Sequence, residues 1–585
     1  MKIISFCSYP SVWHFAFAEA AIAYELKKKG HEILFITPGY HLGHRSRLMH
    51  ERTLRKQFDL PGYDIGAILT AEDMREINSI ITTSDRKQIE SLTIDGVAIG
   101  RIALYETLLH SKKMNLDFSE TEWAKCLADV RSTLESFFAC RRILEKERPD
   151  SILMYNALYS VNRVWERYAD LKGIPAYFLH HGLNLSDMDN TLIIAKTNTM
   201  EYFKRLKQIW PAVKDTPSPA TDLSYVTDHF LTLLTAKHFL VYSSAKAKDT
   251  DIRRFFGVSS GQKIITATMS SYDEMFASQY VGARKLPSDL LFASQTEWVA
   301  ALIEWVRQRP ELFLVIRVHP REFPNKRDPV KSEHVKTLEA KLRDLPANVR
   351  VNWPNDDLSL YDLAQETDVF LNAWSSVGVE MSLLGLPVVI YSGELVLYPS
   401  DINYLAASRA DYFTQIDAAL SDGWRYERIR KTYRWLSLYY CKPIVRFRDG
   451  QRAGETDPVL STTAPVPLAG QSRLRKIYKI LPIPKQMRSF LQDMRKKKGL
   501  VRECGTQRKM DIDTGALENM LRSSGDTLVD IKAILERGSD QKAEDAGLHL
   551  ELRRLYKAMY GIEPEVGHAP MTSLQNKLRT AILNP

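Results

Sequence analysis

The sequence predicts an α/β protein with two doubly wound domains and a helical, basic extension after them. At 585 residues the chain is too long for one compact core. It opens with an apolar run, a helical pattern and a second apolar run, the order of two parallel strands joined by a crossover helix. A second alternation of this kind begins near residue 263. We therefore expect Rossmann-like domains at residues 1–245 and 246–455, facing one another across a cleft, with the extension at residues 456–585.

The first domain is predicted from short apolar runs separated by helical patterns. Strands are expected at residues 3–6, 33–36, 151–155 and 176–179. The loop at residues 8–14 follows the first strand, so it should lie at the carboxyl edge of the sheet, where open α/β sheets bind ligands. The last of these strands ends in His180-His181-Gly182. Ligand-facing residues of this domain are therefore expected in these two places.

The second domain repeats this pattern with more regular spacing. Strands are expected at residues 263–268, 312–318, 349–351, 368–371 and 387–391. Helical sequence separates each apolar run from the next, which is typical of a parallel sheet covered by helices. After about residue 455, the stretch from Ser461 to Pro467 has the composition of a linker, so the domain should end before it.

The positive charge of the chain is concentrated in the extension. The formal net charge is +9, and basic residues heavily outnumber acidic ones between Arg473 and Lys509, including the run from Arg495 to Lys498. Because the excess belongs to one segment, it does not indicate nucleic acid as a partner of the two main domains. Apolar side chains interleave with the basic ones, which predicts contact with an anionic membrane surface through residues 471–585. A capping helix with a solvated basic face is the alternative.

The cellular compartment is predicted from the cysteines and the apolar runs. The five cysteines are widely scattered, with neither a C-x-x-C pair nor a disulfide-dense spacing. The N-terminal apolar run is too short for a signal peptide, and no segment approaches the roughly 20 apolar residues that a membrane span needs. We therefore expect a cytoplasmic protein that is either soluble or peripheral at the inner face of the inner membrane.

The stretch Arg-Val-His-Pro-Arg-Glu at residues 317–322 is the most informative of the second domain. It closes a predicted strand at the ligand-binding edge of the sheet. The imidazole of His319 and the guanidinium groups of Arg317 and Arg321 can all donate hydrogen bonds to anionic oxygen, so this group suits a phosphate. The alternative is a strand-ending turn whose arginines are solvated.

A serine pair follows the strand predicted at residues 368–371. Ser375 and Ser376 fall at the start of a helix, where free N–H groups and the positive end of the helix dipole favour a phosphate. Glu380 lies about one turn further along and could accept hydrogen bonds from ribose hydroxyls. The alternative is that the serines only cap the helix and that Glu380 is an exposed acid. The two stretches in this order favour a nucleotide site.

The two stretches, RVHPRE and NAWSSVGVEMSLLGLPVVI, resemble the histidine-proline and serine-serine motifs of bacterial capsule and lipopolysaccharide glycosyltransferases. These families include capsule-type Kdo transferases and bacterial sialyltransferases, and the resemblance covers roughly residues 260–395. It implies a GT-B-like arrangement and transfer of a sugar from a nucleotide donor to a surface polysaccharide or glycolipid. It also implies that His319, Ser375 and Ser376 hold the nucleotide phosphate. Many of these enzymes use a CMP-activated acidic sugar, but related motifs occur with other nucleotides, so the donor stays open.

Further side chains are candidates for the cleft. Ser270 and Ser271 follow the first strand of the second domain and either bind phosphate or turn the chain. In the first domain His14 lies in the first loop, where several inverting enzymes of this fold carry a histidine. A neutral imidazole could take the proton of an acceptor hydroxyl as it attacks the anomeric carbon. His14 has the alternative of packing as a helix residue, so His180 and His181 are the better placed candidates for this base.

Neither a metal ion nor a cofactor is expected. The sequence has no HExxH motif, no cluster of cysteine and histidine, and no aspartate pair in an evident metal loop. A helix dipole and basic side chains can stabilise a departing phosphate without a divalent ion.

Three other functions stay open. A glycerol- or ribitol-phosphate transferase of the teichoic-acid type shares this fold, and His181-Gly182 weakly resembles its histidine-glycine element, although the Thr-Pro-Leu-Lys continuation is missing. A sugar-nucleotide 2-epimerase also uses two Rossmann domains but needs no basic tail. The third is a non-catalytic scaffold that recruits polysaccharide enzymes through residues 471–585.

Overall fold

A computed structural model of the chain describes residues 1–10, 12–43, 48–238, 240–246, 250–325, 329–449, 510–512, 514–538, 540–565 and 571–584. The chain falls into two compact units, Met1–Val445 with Thr514–Pro585 and Arg446–Asp513. The first unit contains residues 1–445 of the two predicted α/β domains, and the boundary between these domains stays a prediction.

The strands and helices are numbered in chain order. The strands are β1 (Lys2–Phe6), β2 (Glu32–Ile36), β3 (Ser151–Tyr155), β4 (Ala176–His181), β5 (Thr191–Lys196), β6 (Lys263–Thr268), β7 (Leu312–Arg317), β8 (Val349–Asn352), β9 (Val369–Asn372), β10 (Val388–Ile390), β11 (Tyr404–Leu405), β12 (Ile444–Asp449) and β13 (Met510–Ile512). The helices are α1 (Trp13–Lys28), α2 (Leu48–Gln57), α3 (Ala71–Thr83), α4 (Arg86–Ser91), α5 (Ile99–Ala103), α6 (Tyr105–Ser111), α7 (Glu120–Glu147), α8 (Ser160–Leu171), α9 (Thr199–Val213), α10 (Ala220–Thr235), α11 (Ile252–Phe256), α12 (Tyr272–Tyr280), α13 (Gln295–Arg307), α14 (Glu333–Lys341), α15 (Leu360–Leu363), α16 (Val377–Leu383), α17 (Arg409–Asp422), α18 (Tyr426–Cys441), α19 (Gly515–Arg522), α20 (Ile531–Arg537), α21 (Gln541–Tyr560) and α22 (Ser573–Leu583).

The first domain has the strand order β2-β1-β3-β4-β5. The first four strands run parallel, and β5 runs antiparallel to β4. This is the order of a flavodoxin-like sheet, which reverses its direction of growth between β1 and β3. The predicted strands of this domain are confirmed. β5 is missing from the sequence prediction, because a short apolar run such as residues 192–195 does not by itself distinguish a strand from a buried helical turn.

The second domain has the strand order β11-β10-β9-β6-β7-β8, and all its strands are parallel. Counted from β6, this is the Rossmann order 3-2-1-4-5-6, which reverses between β6 and β9. The five predicted strands are confirmed to within one or two residues at each end. Every residue of β7 and β9 is buried, as expected for strands covered by helices on both faces.

The two domains meet on the sides where their strands end. Leu158, in the segment after β3, packs with Ala277 of α12, the helix that follows β6. Lys112, at the end of α6, donates hydrogen bonds from Nζ to the carbonyl oxygens of Arg321 and Val330, each across 2.6 Å. The carboxyl ends of the two sheets therefore border a shared cleft.

Helices α19 to α22 belong to the same compact unit as the two α/β domains. Helix α21 packs along α10, and its residues Leu548, Leu552 and Leu555 are buried in the core. Their spacing of four and three residues places them on one face of the helix. Leu574 and Leu578 of α22 are buried in the same core. The C-terminal part of the predicted extension is thus packed into the fold.

The basic and apolar segment at residues 473–491 lies outside the described residues, so its contact with a membrane stays a prediction. Within the described part of the chain, no helix combines the length and the apolar character needed to cross a membrane.

Candidate functional site

A cavity of about 150 Å³ lies at the carboxyl ends of β6 and β7. It borders β6 where the strand order of the second sheet reverses, which is where open α/β sheets bind ligands. The structure brings five of the predicted donor-binding residues together in its lining: Arg317, His319, Ser375, Ser376 and Glu380. Residues 240–243, from the loop after α10, line the same cavity.

His319 begins the short 3-10 helix Pro320–Glu322, which follows β7. Its Nδ1 accepts a hydrogen bond from the backbone N–H of Arg321 across 3.2 Å. A neutral imidazole has one protonated nitrogen, so this contact places the proton on Nε2. Burial lowers the pKa of His319, which keeps the ring neutral at pH 7. His319 can therefore present a single N–H donor to a ligand.

Arg317 is the last residue of β7 and is buried. Its guanidinium donates to the side-chain oxygen of Asn352 and to the carbonyl oxygen of Leu358, the latter across 3.0 Å. Burial lowers its pKa to about 10, so it keeps its positive charge at neutral pH. A buried cation at the edge of a cavity attracts an anionic ligand more strongly than an exposed one, because water screens it less.

Arg321 is placed differently from Arg317. Its Nε and Nη2 donate to the carboxylate of Asp273 in α12 across 3.1 and 2.9 Å, and its Nη2 also donates to the carbonyl oxygen of Leu109 across 3.0 Å. The turn at Pro320 directs this side chain to α12 and α6, so Arg321 joins the two domains and is not among the residues that line the cavity.

Glu380 receives two hydrogen bonds. Tyr361 of α15 donates from its hydroxyl to Oε2 across 2.9 Å, and Ser376 donates from its hydroxyl to Oε1 across 2.6 Å. Burial raises the pKa of Glu380, and these two hydrogen bonds oppose that effect. We call Tyr361 and Glu380, which both line the cavity, the Tyr361–Glu380 wall.

Hydrogen bonds between side chains and the backbone hold the serine loop in place. The hydroxyl of Ser375 accepts from the N–H of Val377 across 3.4 Å, while the Asn372 amide donates to the carbonyl oxygen of Ser375 across 2.8 Å. Gly378 is needed in the following turn, because a Cβ at this position would overlap the hydroxyl of Tyr398. Both serines thereby stay at the N-terminus of α16, where they line the cavity.

Ser270 and Ser271 are buried, and neither is among the residues that line the cavity. The hydroxyl of Ser270 accepts from the N–H of Trp374 across 3.1 Å, which ties the end of β6 to the serine loop. Ser271 donates its hydroxyl to Glu274. Both serines are thus engaged in the turn that begins α12, which is one of the two roles expected for them.

His180 and His181 are the last two residues of β4, and their rings lie 4.1 Å apart. Nδ1 of His180 contacts the carbonyl oxygen of His181 across 2.9 Å, and Nδ1 of His181 contacts that of Gly182 across 3.0 Å. A carbonyl oxygen only accepts, so each Nδ1 carries the proton. When either ring is neutral, its lone pair is therefore on Nε2, which is the form that a general base needs. The ring of Tyr155 stacks against His180 at 5.4 Å.

His14 is the second residue of α1, and its side chain lies outside the described part of the structure. Glu19, one and a half turns further along α1, is 1% exposed and accepts the backbone N–H of Tyr155 across 2.7 Å. Burial raises the pKa of Glu19 to about 8. This carboxyl group lies beside the point where the strand order of the first sheet reverses, at the ends of β1 and β3.

Tyr361 and Glu19 are missing from the sequence prediction. Glu19 had a visible signal, since it is a lone acid in the apolar run from Ala16 to Ala23. Tyr361 had none, because its contact with Glu380 joins two helices that are 19 positions apart in sequence. Among the described residues, no three histidine, cysteine, aspartate or glutamate side chains come together so that they could hold a metal ion.

No protein-family model matches the chain, and no curated protein matches it. Among solved structures, it is similar to the UDP-GlcNAc 2-epimerase of Neisseria meningitidis bound to UDP-GlcNAc, with 14% identity, 75% of this chain and 96% of that chain covered, and a TM-score of 0.23. It is also similar to the β-Kdo 2,4-transferase of Thermosulfurimonas dismutans KpsC, with 13% identity, coverage of 51% and 82%, and a TM-score of 0.32. The β-Kdo 2,7-transferase of the same protein has 12% identity, coverage of 57% and 90%, and a TM-score of 0.29. Likenesses at this level carry no argument about function, and the fold assignment rests on the strand orders above.

Proposed function

We propose that this protein is a glycosyltransferase that takes a sugar from a nucleotide donor and transfers it to a polysaccharide or lipid-linked glycan. The observation that carries this proposal is the cavity at the β6–β9 reversal, which gathers a buried cation, a neutral histidine N–H donor and two serine hydroxyls. This set of donors suits the phosphate groups of a nucleotide sugar.

Each donor has a distinct role in the proposed site. Arg317 supplies the positive charge, and His319 donates from Nε2 to a phosphate oxygen. Ser375 donates from its hydroxyl to the phosphate, whereas Ser376 has a single hydroxyl proton, which it gives to Glu380, and donates to the phosphate only by exchanging that partner. The side chain of Arg321 joins the two domains through Asp273 and Leu109 and does not itself touch the phosphate. The same groups stabilise the negative charge that develops on the departing nucleotide, since they are already oriented towards it.

The first domain supplies the base. The acceptor hydroxyl attacks the anomeric carbon, its proton passes to Nε2 of His180 or His181, and the bond from the anomeric carbon to the donor phosphate oxygen breaks. The charges balance, because the histidine gains the proton while the nucleotide leaves as an anion. The tautomer that the backbone carbonyls impose on both histidines supports this role.

The donor and the acceptor are proposed from the sequence resemblance. A CMP-activated acidic sugar is the first donor to test, and a surface glycan at the inner face of the inner membrane is the first acceptor. The basic residues at 471–509 would bring the enzyme to that anionic surface.

A thermal-shift panel with CMP, CDP, UDP and GDP tests the proposal. A nucleotide present at 100 times its Kd stabilises the folded protein by about 2.7 kcal/mol. One nucleotide should raise the Tm of the wild type and fail to raise that of Arg317→Met. If none of them raises the Tm, the scaffold alternative is favoured. Product analysis with CDP-glycerol then separates sugar transfer from transfer of glycerol phosphate.

A further inference from the structure

The C-terminal helices contact the segment that carries one wall of the cavity. This segment runs from α15 to Glu366 and includes Gln365, which is 3% exposed. Tyr560, the last residue of α21, donates from its hydroxyl to Gln365 Oε1 across 2.9 Å. Thr572, just before α22, donates to the same oxygen across 2.9 Å. The backbone N–H of Leu574 donates to the carbonyl oxygen of Gln365 across 3.0 Å.

Gln365 also contacts Tyr361, which lines the cavity. Its Nε2 donates to the carbonyl oxygen of Tyr361 across 2.8 Å, so the amide ties α22 and α21 to the main chain of Tyr361. The hydroxyl of Tyr361 in turn donates to Glu380. Both polar atoms of the Gln365 side chain are satisfied in this arrangement. An amide that joins several buried groups holds them in one geometry, because each would lose a partner if it moved.

Helix α21 also contacts α10, which contributes a residue to the lining of the cavity. Arg554 of α21 donates to the hydroxyl of Ser224 across 2.9 Å and forms an ion pair with Asp228, and both partners belong to α10. Leu233, near the end of α10, lines the cavity. Helix α21 thus contacts an element of the first domain and, through Tyr560, an element of the second.

We propose that Gln365 is a positioning residue through which helices α21 and α22 hold the Tyr361–Glu380 wall in the shape that binds the nucleotide. This inference rests on the proposed function, since it assigns a role towards the same cavity. It makes the C-terminal helices part of the binding unit, although none of their residues is among those that line the cavity.

The chain offers a matched pair of variants for the test. Tyr560→Phe removes only the hydroxyl that reaches Gln365 and keeps the ring, which lies tilted against the ring of Tyr556 at 4.7 Å and under Lys246. Tyr556→Phe removes a hydroxyl from the same helix, one turn earlier, where it accepts from Gln575 of α22. The control therefore loses a hydrogen bond within the C-terminal helices and leaves Gln365 untouched.

The measurement is the Kd for whichever of CMP, CDP, UDP and GDP binds the wild type most tightly, taken by calorimetry well below the Tm. Loss of one neutral hydrogen bond, worth about 1 kcal/mol, can weaken nucleotide binding by at most about fivefold. Because Tyr560 acts on the cavity only through Gln365, Tyr560→Phe should weaken binding by less, about threefold. Gln365→Met should weaken it by about tenfold, and Tyr556→Phe should leave it unchanged even if it lowers the Tm as much as Tyr560→Phe does.

Two results would overturn the inference in different ways. If the wild type binds one of the nucleotides and Tyr560→Phe binds it as tightly as Tyr556→Phe, Gln365 does not position the wall, whether or not Gln365→Met folds. If the wild type binds none of the four, the proposed function fails and this inference fails with it.

Discussion

The backbone N–H of Arg321 donates a hydrogen bond to Nδ1 of His319 across 3.2 Å. His319 therefore carries its proton on Nε2, whereas His180 and His181 carry theirs on Nδ1 because backbone carbonyls occupy that nitrogen. The two domains thus present imidazoles in opposite tautomers: a donor in the second domain and acceptors in the first. A donor suits a phosphate, and an acceptor suits a hydroxyl that must lose its proton.

Asparagine and glutamine at position 319 should separate the two nitrogens of His319. His319→Asn keeps an acceptor for the N–H of Arg321 but has no donor at the Nε2 position. A hydrogen bond to a charged group is worth about 1.5–3 kcal/mol, so nucleotide affinity should fall at least about tenfold while stability stays near that of the wild type. His319→Gln keeps a donor near the Nε2 position, so it should retain more nucleotide affinity. It should lose about 1 kcal/mol of stability, because it no longer caps the 3-10 helix by accepting the N–H of Arg321. Calorimetry gives the nucleotide affinity of each variant, and urea unfolding gives its stability. If His319→Asn bound the nucleotide more tightly than His319→Gln, Nε2 of His319 would not be a donor to the phosphate.

His180→Asn and His181→Asn should lower turnover while nucleotide affinity survives. Asparagine can still donate to the neighbouring carbonyl oxygen, but it lacks the Nε2 lone pair. General base catalysis contributes about 10²–10⁴-fold, so one of the two variants should lose that much in single-turnover rate. If both variants turn over at the wild-type rate, neither histidine is the base, and His14 is the next residue to test.

Arg321→Met should destabilise the fold, with little effect on nucleotide binding by the folded protein. The substitution leaves Asp273, which is 2% exposed, as a buried carboxylate without its guanidinium partner. Breaking a buried ion pair in this way costs about 3–5 kcal/mol in the free energy of unfolding. The double variant with Asp273→Asn should recover part of this loss. A large drop in the nucleotide affinity of folded Arg321→Met would instead place Arg321 on the phosphate.

Glu19→Gln should remove a pH dependence of stability. The pKa of Glu19 is about 8 in the folded protein against an ordinary value of 4.5, so the folded state holds the proton more tightly than the unfolded state. The stabilisation is fully present below pH 4.5 and is lost as pH rises towards 8, at up to about 1.4 kcal/mol per pH unit. Glutamine imitates the protonated acid and keeps the acceptor for Tyr155. The wild-type free energy of unfolding minus that of the variant should therefore fall from pH 5 to pH 8, and a constant difference would contradict the shift.

The run from Arg495 to Lys498 should contribute to binding of anionic vesicles. Substitution is a better test than truncation at residue 471, because truncation would remove the buried residues of α21 and α22. Each basic residue near an anionic surface contributes about 1 kcal/mol, so replacing all four with glutamine should greatly reduce sedimentation with vesicles at low salt. A matched control replaces four exposed lysines of the first domain, Lys29, Lys87, Lys125 and Lys172. Equal binding by the two variants would indicate that the segment does not contact the membrane.

The local pattern of the sequence determined the fold class and the pairing of the two motifs. The apolar runs at residues 312–318 and 368–371 are long enough and separated by enough helical sequence to specify buried parallel strands. Parallel strands end at the same edge of a sheet, so the residues that follow them, His319 and Ser375, lie near one cavity once the strand order is Rossmann-like.

Only the tertiary structure decided what each polar side chain does. Arg317 and Arg321 are equivalent in the sequence pattern, but one borders the cavity and the other pairs with Asp273, because the turn at Pro320 sends them in different directions. The tautomers of the histidines follow from which backbone group lies beside each ring. The position of α21 against α10 likewise depends on packing between segments more than 300 residues apart. Periodicity is a local property that a sequence displays directly, whereas a hydrogen-bond partner is set by the packing of the whole chain.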